Sequence, residues 1–99
     1  MVFPFNKGGP GCSSMDGMYL EVGPYQINLD LSISLNNYSW HKASDIVFLD
    51  QPFETGYSYG PVPNNMKNVA GDMVDFFALF FAEYPDLKDR HIILAGIFY

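Results

Sequence analysis

Apolar positions along the chain form several short strand-like runs and one long helical stripe. Val2 to Phe5 reads as the end of a strand entering a glycine-rich turn, and Tyr25-Gln26-Ile27-Asn28 and Leu31 to Leu35 alternate as short strands do. Ile46 to Leu49 is a continuous, partly β-branched apolar run, which suits a strand buried on both faces of a parallel sheet. Met66, Val69, Ala70, Met73, Val74, Phe77, Phe80 and Phe81 recur at helical spacing, with Asn68, Asp72, Asp75 and Glu83 on the opposite face. Asn64 or Asn65 supplies the cap, and Pro85 ends the helix because proline disfavours helical backbone at Tyr84. Ile92 to Ala95 then reads as a second buried strand. Strand, helix, strand in that order predicts an α/β fold with a right-handed parallel crossover.

Composition changes this picture in one respect. The 99 residues allow at most one small domain, 1–99, yet 48% are hydrophobic and 17% aromatic, which is high for so short a chain. Such a balance suggests part of a larger core, with apolar surface left for self-association. A formal charge of −6 argues against nucleic acid and anionic membrane as partners, since both would repel it. No run approaches the ~20 apolar residues needed to span a bilayer. The start, MVFPFNKGGP, lacks the basic segment and apolar stretch of a signal peptide, so the chain as written is expected in the cytosol. Cys12 is the single cysteine, and the two histidines show no metal-ligand spacing with it. Neither metal nor cofactor is expected.

The candidate chemistry begins at Gly8-Gly9-Pro10-Gly11-Cys12-Ser13-Ser14. Glycine reaches backbone angles closed to other residues and lets a ligand approach the main chain, while proline pre-sets one dihedral. Such a turn can aim backbone N–H groups at an anion, as an oxyanion hole for acyl transfer requires. It can equally be a tight surface turn.

Four further blocks narrow the choice. GGPGCSSMDG, EVGPYQI from Glu21, NYSW from Asn37, DQP from Asp50 and TGYSY from Thr55 resemble, in order and spacing, the N-terminal part of the serine carboxypeptidases, which have the α/β-hydrolase fold. The details are most like the fungal pheromone-processing (kex-type) members. The resemblance implies a partial α/β-hydrolase fold and an enzyme that removes C-terminal residues from peptides through an acyl-enzyme, in the secretory pathway (Golgi, vacuole or exterior). It also implies that Cys12 matches a cysteine usually disulfide-bonded to one much further along.

The resemblance breaks at the nucleophile elbow, the G-x-S-x-G turn that in an α/β-hydrolase thrusts a serine out above the sheet. The family follows an Ala-Gly pair with Glu-Ser-Tyr-Ala-Gly, whereas this chain reads Ala95-Gly96-Ile97-Phe98-Tyr99. Phe98 stands at the nucleophile's position and has no nucleophilic atom, so no catalytic residue is assigned and the chain is expected to be inactive. The family's aspartate and histidine lie further downstream than Tyr99. Nothing spaces His41 or His91 against a serine and an orienting carboxylate, and Ser13, Ser14, Ser44 and Ser58 read as structural.

The binding parts are kept in pieces. By resemblance, the N–H groups of Gly9 and Tyr99 form the oxyanion hole, and Glu21, Lys7 and Trp40 lie where the substrate's C-terminal carboxylate is received. In the family that set comprises an asparagine and two glutamates; here Lys7 replaces the asparagine, with Asn6 one residue early, and Ile97 replaces the second glutamate. Packed carboxyl groups must share a proton to accept another carboxylate, which ties such sites to acid pH. Lys7 either pairs with a terminal carboxylate or is a solvated lysine in a damaged motif. Glu21 reads also as a surface carboxylate before a Gly-Pro turn, and Trp40 as core. Tyr57 and Tyr59 either line the cleft or pack. Phe53-Glu54 replaces a small pair such as Val-Gly, which puts glutamate where glycine would permit a tight turn. Asn37-Tyr38-Ser39 is a glycosylation sequon in a secreted chain.

Other readings stand beside the enzyme fragment. One is a non-catalytic remnant that binds peptide termini or pairs through sheet edges. Another is a different α/β-hydrolase such as a proline aminopeptidase, against which Cys12-Ser13-Ser14 and NYSW speak. A purely structural α/β domain explains the helix and strands and leaves the motif series unexplained.

Overall fold

A computed structural model describes residues 1–97. Its centre is β1 (Val2–Lys7), flanked on both sides by parallel neighbours. β4 (Asp45–Phe48) pairs with it from Val2↔Asp45 to Phe5↔Phe48, and β5 (Ala95–Ile97) pairs from Phe5↔Ala95 to Lys7↔Ile97. Sheet order is therefore β4-β1-β5. α1 (Met66–Glu83) connects β4 to β5, so the connection passes the central strand before the chain rejoins the sheet in parallel. A separate antiparallel pair, β2 (Tyr25–Ile27) with β3 (Ile33–Leu35), lies between β1 and β4 in sequence.

Local chemistry accounts for the helix ends. The Asn65 side-chain oxygen accepts from the Asn68 N–H at 3.0 Å, filling one of the donors that a helix start leaves unpaired. At the other end the Tyr84 N–H reaches the Phe80 carbonyl at 2.8 Å, and Pro85 opens a short 3-10 turn, Pro85–Leu87. Along α1 the phenyl rings pack on one another, Phe76 on Phe80 at 5.7 Å and Phe77 on Phe81 at 5.9 Å between centroids. A cavity of about 110 Å³ separates Met73 and Phe76 from Leu49, Gln51 and Pro52 at the end of β4.

Buried apolar side chains among the described residues include Val2, Pro4, Phe5 and Val69, with the Phe5 ring tilted on Phe48 at 5.6 Å and edge-on to Trp40 at 6.2 Å. Large apolar side chains that remain exposed include Tyr25, Ile27, Ile33 and Leu35 on the hairpin and Val74 and Leu79 on α1. No helix among the described residues is long and apolar enough to cross a membrane.

Three expectations need correction. The last strand occupies Ala95–Ile97 instead of Ile92 to Ala95, and only a single bridge, Val2 to Ile92, precedes it. Ile93 and Leu94 fall between the bridge and the ladder and stay exposed, so that run is not a buried strand. β4 also falls short of burial on both faces, with Ile46 to Phe48 half-buried, because one helix does not cover two faces of a sheet. Third, β3 starts at Ile33 and not at Leu31. Asp30 Oδ1 accepts from the Ser32 N–H at 3.0 Å and the Ser32 hydroxyl at 2.6 Å, and Leu31 takes φ +66, so side-chain hydrogen bonding holds those residues in a turn.

Candidate functional site

The end of β1 and the end of β4 are stitched together by two serines. Ser14 is buried; its hydroxyl accepts from the Lys7 N–H at 3.1 Å and donates to the Leu49 carbonyl at 2.5 Å. Asp50, two residues after β4, accepts on both carboxylate oxygens: Oδ1 takes the Ser13 hydroxyl at 2.7 Å and the Ser14 N–H at 2.8 Å, and Oδ2 takes the Tyr57 N–H at 3.2 Å. The Ser58 hydroxyl donates to the Asp50 carbonyl at 2.6 Å. One carboxylate thereby holds the glycine turn to the loop of residues 51–60. Gly56 makes that contact sterically feasible, since a Cβ there would lie 2.1 Å from Asp50 Oδ2 at φ +57.

Between these anchors the turn takes the backbone that its glycines permit. Gly8, Gly9 and Gly11 have φ +78, +90 and +130, in the region that side chains disfavour. The Gly8 N–H donates to the Ile97 carbonyl at 2.8 Å, which fixes the turn against β5. The exposed Gly9 N–H has no acceptor among the described residues. Phe98 and Tyr99, the expected nucleophile position and second oxyanion donor, lie outside the described residues.

Lys7 and Glu21 meet. The Lys7 ammonium donates to Glu21 Oε1, so the solvated-lysine reading does not describe this side chain. That hydrogen bond, reinforced by the charge of Glu21 and then by that of Asp16, raises the Lys7 pKa above the ordinary 10.5 despite an opposing contribution from burial. Glu21 ends a π-helical turn, Gly17–Glu21, and its Oε2 is buried with no partner among the described residues. Lys7 also pairs in register with Ile97 on β5. Three positions of the expected carboxylate set are thus adjacent.

Trp40 is carried to the same end by backbone capture. Asn36 Nδ2 donates to the carbonyls of Glu21 at 3.1 Å and Gly23 at 2.9 Å, while the Ser39 hydroxyl and the Trp40 N–H both donate to the Val22 carbonyl, at 2.8 and 3.0 Å. The indole packs edge-on to Phe5 and stays 43% exposed, so it serves the core and the surface together. His41 is held by its own segment, its Nδ1 lying 2.7 Å from the Ser39 hydroxyl. Tyr57 and Tyr59 are exposed. Among the described residues no group of three or more His, Cys, Asp or Glu is placed to hold a metal ion.

Sequence reasoning left Asp50 and Asn36 without roles. An acid directly after an apolar strand, followed six residues later by glycine, was the available sign for Asp50. Nothing local marks Asn36, whose partners are carbonyls 13 and 15 residues earlier.

Comparison with known proteins bears on the family and the fold. The family model described as serine carboxypeptidase matches residues 5–99. A pheromone-processing carboxypeptidase KEX1 from Lodderomyces elongisporus is 45% identical over 93 residues, covering 91% of this chain and 13% of that protein. Carboxypeptidase Y homolog A from Ajellomyces dermatitidis is 42% identical over 91 residues, covering 91% of this chain and 17% of that protein. Among solved structures, KEX1(delta)p, a prohormone-processing carboxypeptidase from Saccharomyces cerevisiae, superposes with a TM-score of 0.89 at 36% identity, over 96% of this chain and 22% of that one. The chain therefore spans a small part of the length of the relatives it matches.

Proposed function

Because the chain belongs to the serine carboxypeptidase family, we propose that it carries the part of such a hydrolase that receives a peptide's C-terminus, without the residue that attacks the peptide bond. In acyl transfer by a serine hydrolase the hydroxyl oxygen bonds to the scissile carbonyl carbon, a base takes its proton, and fixed N–H groups hold the oxyanion until the leaving amine departs. Gly9 presents one such N–H, which meets no acceptor among the described residues, and the family resemblance assigns the second to Tyr99. Phe98 supplies no oxygen or sulfur with which the first bond can form.

The observation that carries the reading is the Lys7–Glu21 pair at the mouth of the glycine turn. It sets a cation and an acceptor together one residue before the glycine turn, and Trp40 packs edge-on to Phe5 of the same strand. In this reading the Lys7 ammonium receives the terminal carboxylate, Glu21 holds Lys7 in place, and Trp40 covers the terminal residue.

Activity and binding are tested separately. The 99-residue chain is expected to hydrolyse no peptide and to take up no serine-directed fluorophosphonate; stoichiometric labelling refutes the inactive reading. A preference for peptides with a free C-terminus over their amides is expected. Equal binding of the two refutes the carboxylate reading.

A further inference from the structure

We infer that Lys7 sets the pH window of the terminal-carboxylate site, holding the carboxylate through its ammonium at neutral pH instead of requiring a proton shared among carboxyl groups. This rests on the carboxylate reading above and goes beyond it by naming the charge that does the work.

The argument starts from donors. A lysine ammonium has three N–H groups and no acceptor capacity. Glu21 Oε1 takes one, and no other described residue accepts from Nζ. The side chain keeps 19% of its exposure, so it is neither sealed in the core nor fully hydrated. An ammonium can bridge two carboxylates, one from the protein and one from a ligand, because its remaining donors are independent of the first.

The surrounding charges favour the ionised lysine. The π-helical turn contributes Glu21, with Asp16 just ahead of it, and both favour the cation. β4 carries Asp45, which is paired with Arg90, and Asp50 two residues after the strand has its oxygens committed to Ser13, Ser14 and Tyr57. β5 brings no charged side chain from Ala95 to Ile97. With the Lys7 pKa raised, the cation persists across the neutral range. A peptide's α-carboxyl is ionised above about pH 3.5, so both charges coexist from mild acid to well above neutrality.

A site made of carboxyl groups alone behaves oppositely. It accepts another carboxylate only while a proton is shared, and loses it as pH rises. Glu21, now engaged by Lys7, also repels an incoming carboxylate, so the gain from Lys7 is modest.

Binding of a fluorescent pentapeptide with a free C-terminus, and of its C-terminal amide, is measured by anisotropy with the full chain at about pH 4.5 and about pH 7.5, on either side of the range where shared carboxyl protons are lost. Wild type, Lys7→Gln and Lys7→Arg are compared, each checked for the same helical circular-dichroism signal. The expected result is a free-acid preference of about fivefold that is the same at both pH values, abolished in Lys7→Gln and retained in Lys7→Arg. A preference confined to the acid condition, or one unchanged in Lys7→Gln, overturns the role of Lys7 and leaves the carboxylate reading standing. No preference in any protein at either pH overturns both.

Discussion

Asparagine in place of Asp50 keeps the side chain's shape and removes its ability to accept on both sides. Three donors converge on this carboxylate, two on Oδ1 and one on Oδ2. An amide has one acceptor oxygen and one donor NH₂. The oxygen will turn toward Ser13 and Ser14, where two donors at 2.7 and 2.8 Å outweigh one at 3.2 Å. The NH₂ then faces the Tyr57 N–H, donor against donor. Losing a hydrogen bond to a charged acceptor removes about 1.5–3 kcal/mol, and the half-exposed position and long Tyr57 contact put this case at the low end, near 1.5 kcal/mol. That is about tenfold in a local opening equilibrium.

Amide hydrogen exchange followed by NMR resolves the two sides. Asp50→Asn is expected to speed exchange at Tyr57 about tenfold and at Ser14 by less, about fivefold, since the amide oxygen keeps that contact without its charge. Asp50→Ala, which removes both acceptors, is expected to speed both. If Asp50→Asn loosens Ser14 more than Tyr57, or leaves Tyr57 unchanged, the carboxylate is not the staple between turn and loop.

Glu54 stands at φ +68, where a side chain costs about 1–2 kcal/mol, and glycine's looser unfolded chain returns about 0.4–1 kcal/mol of that. Glu54→Gly is therefore expected to slow exchange at the Ser58 N–H, which closes this loop on the Thr55 carbonyl, by about threefold; faster exchange refutes it. Gly56→Ala places a methyl against Asp50 Oδ2 and is expected to release Tyr57 more than Asp50→Asn does, a ranking the same exchange data check. Two titrations have opposite signs. Asp30, lowered below 3.8 chiefly by the Ser32 hydroxyl, contributes its full turn stabilisation above 3.8 and loses it as pH falls through the lower folded value, which the Ser32 amide shift follows. Lys7, raised above 10.5, keeps the Glu21 pair below 10.5 and loses it as pH rises through the higher folded value; an Nζ titration at or below 10.5 refutes the pair.

The elements that were legible in the sequence are those whose causes are local. Asn65 capping, Pro85 termination and the 3.6-residue apolar period act within a few positions, and α1 runs from Met66 to Glu83 as they require. The run Ile46 to Leu49 likewise yields a parallel strand. β5 was misplaced because its bounds depend on which residues reach β1: Gly8 binds the carbonyl of Ile97, and this pulls the ladder two residues beyond the apolar run that marked the strand. Burial was overestimated for a related reason, since an apolar run reports what a segment tends to bury and not whether a second layer is present to cover it. The same distinction separates Lys7 from Asp50. Lys7 was singled out because it departs from a motif, yet its pairing with Glu21 depends on a π-helical turn that no local pattern announced. Asp50 conforms to its motif and drew no attention, although it gathers hydrogen bonds from Ser13, Ser14, Tyr57 and Ser58. Departures from a pattern expose candidate changes in chemistry, whereas the residues that hold the pattern in place are recognised only when the segments they join are seen together.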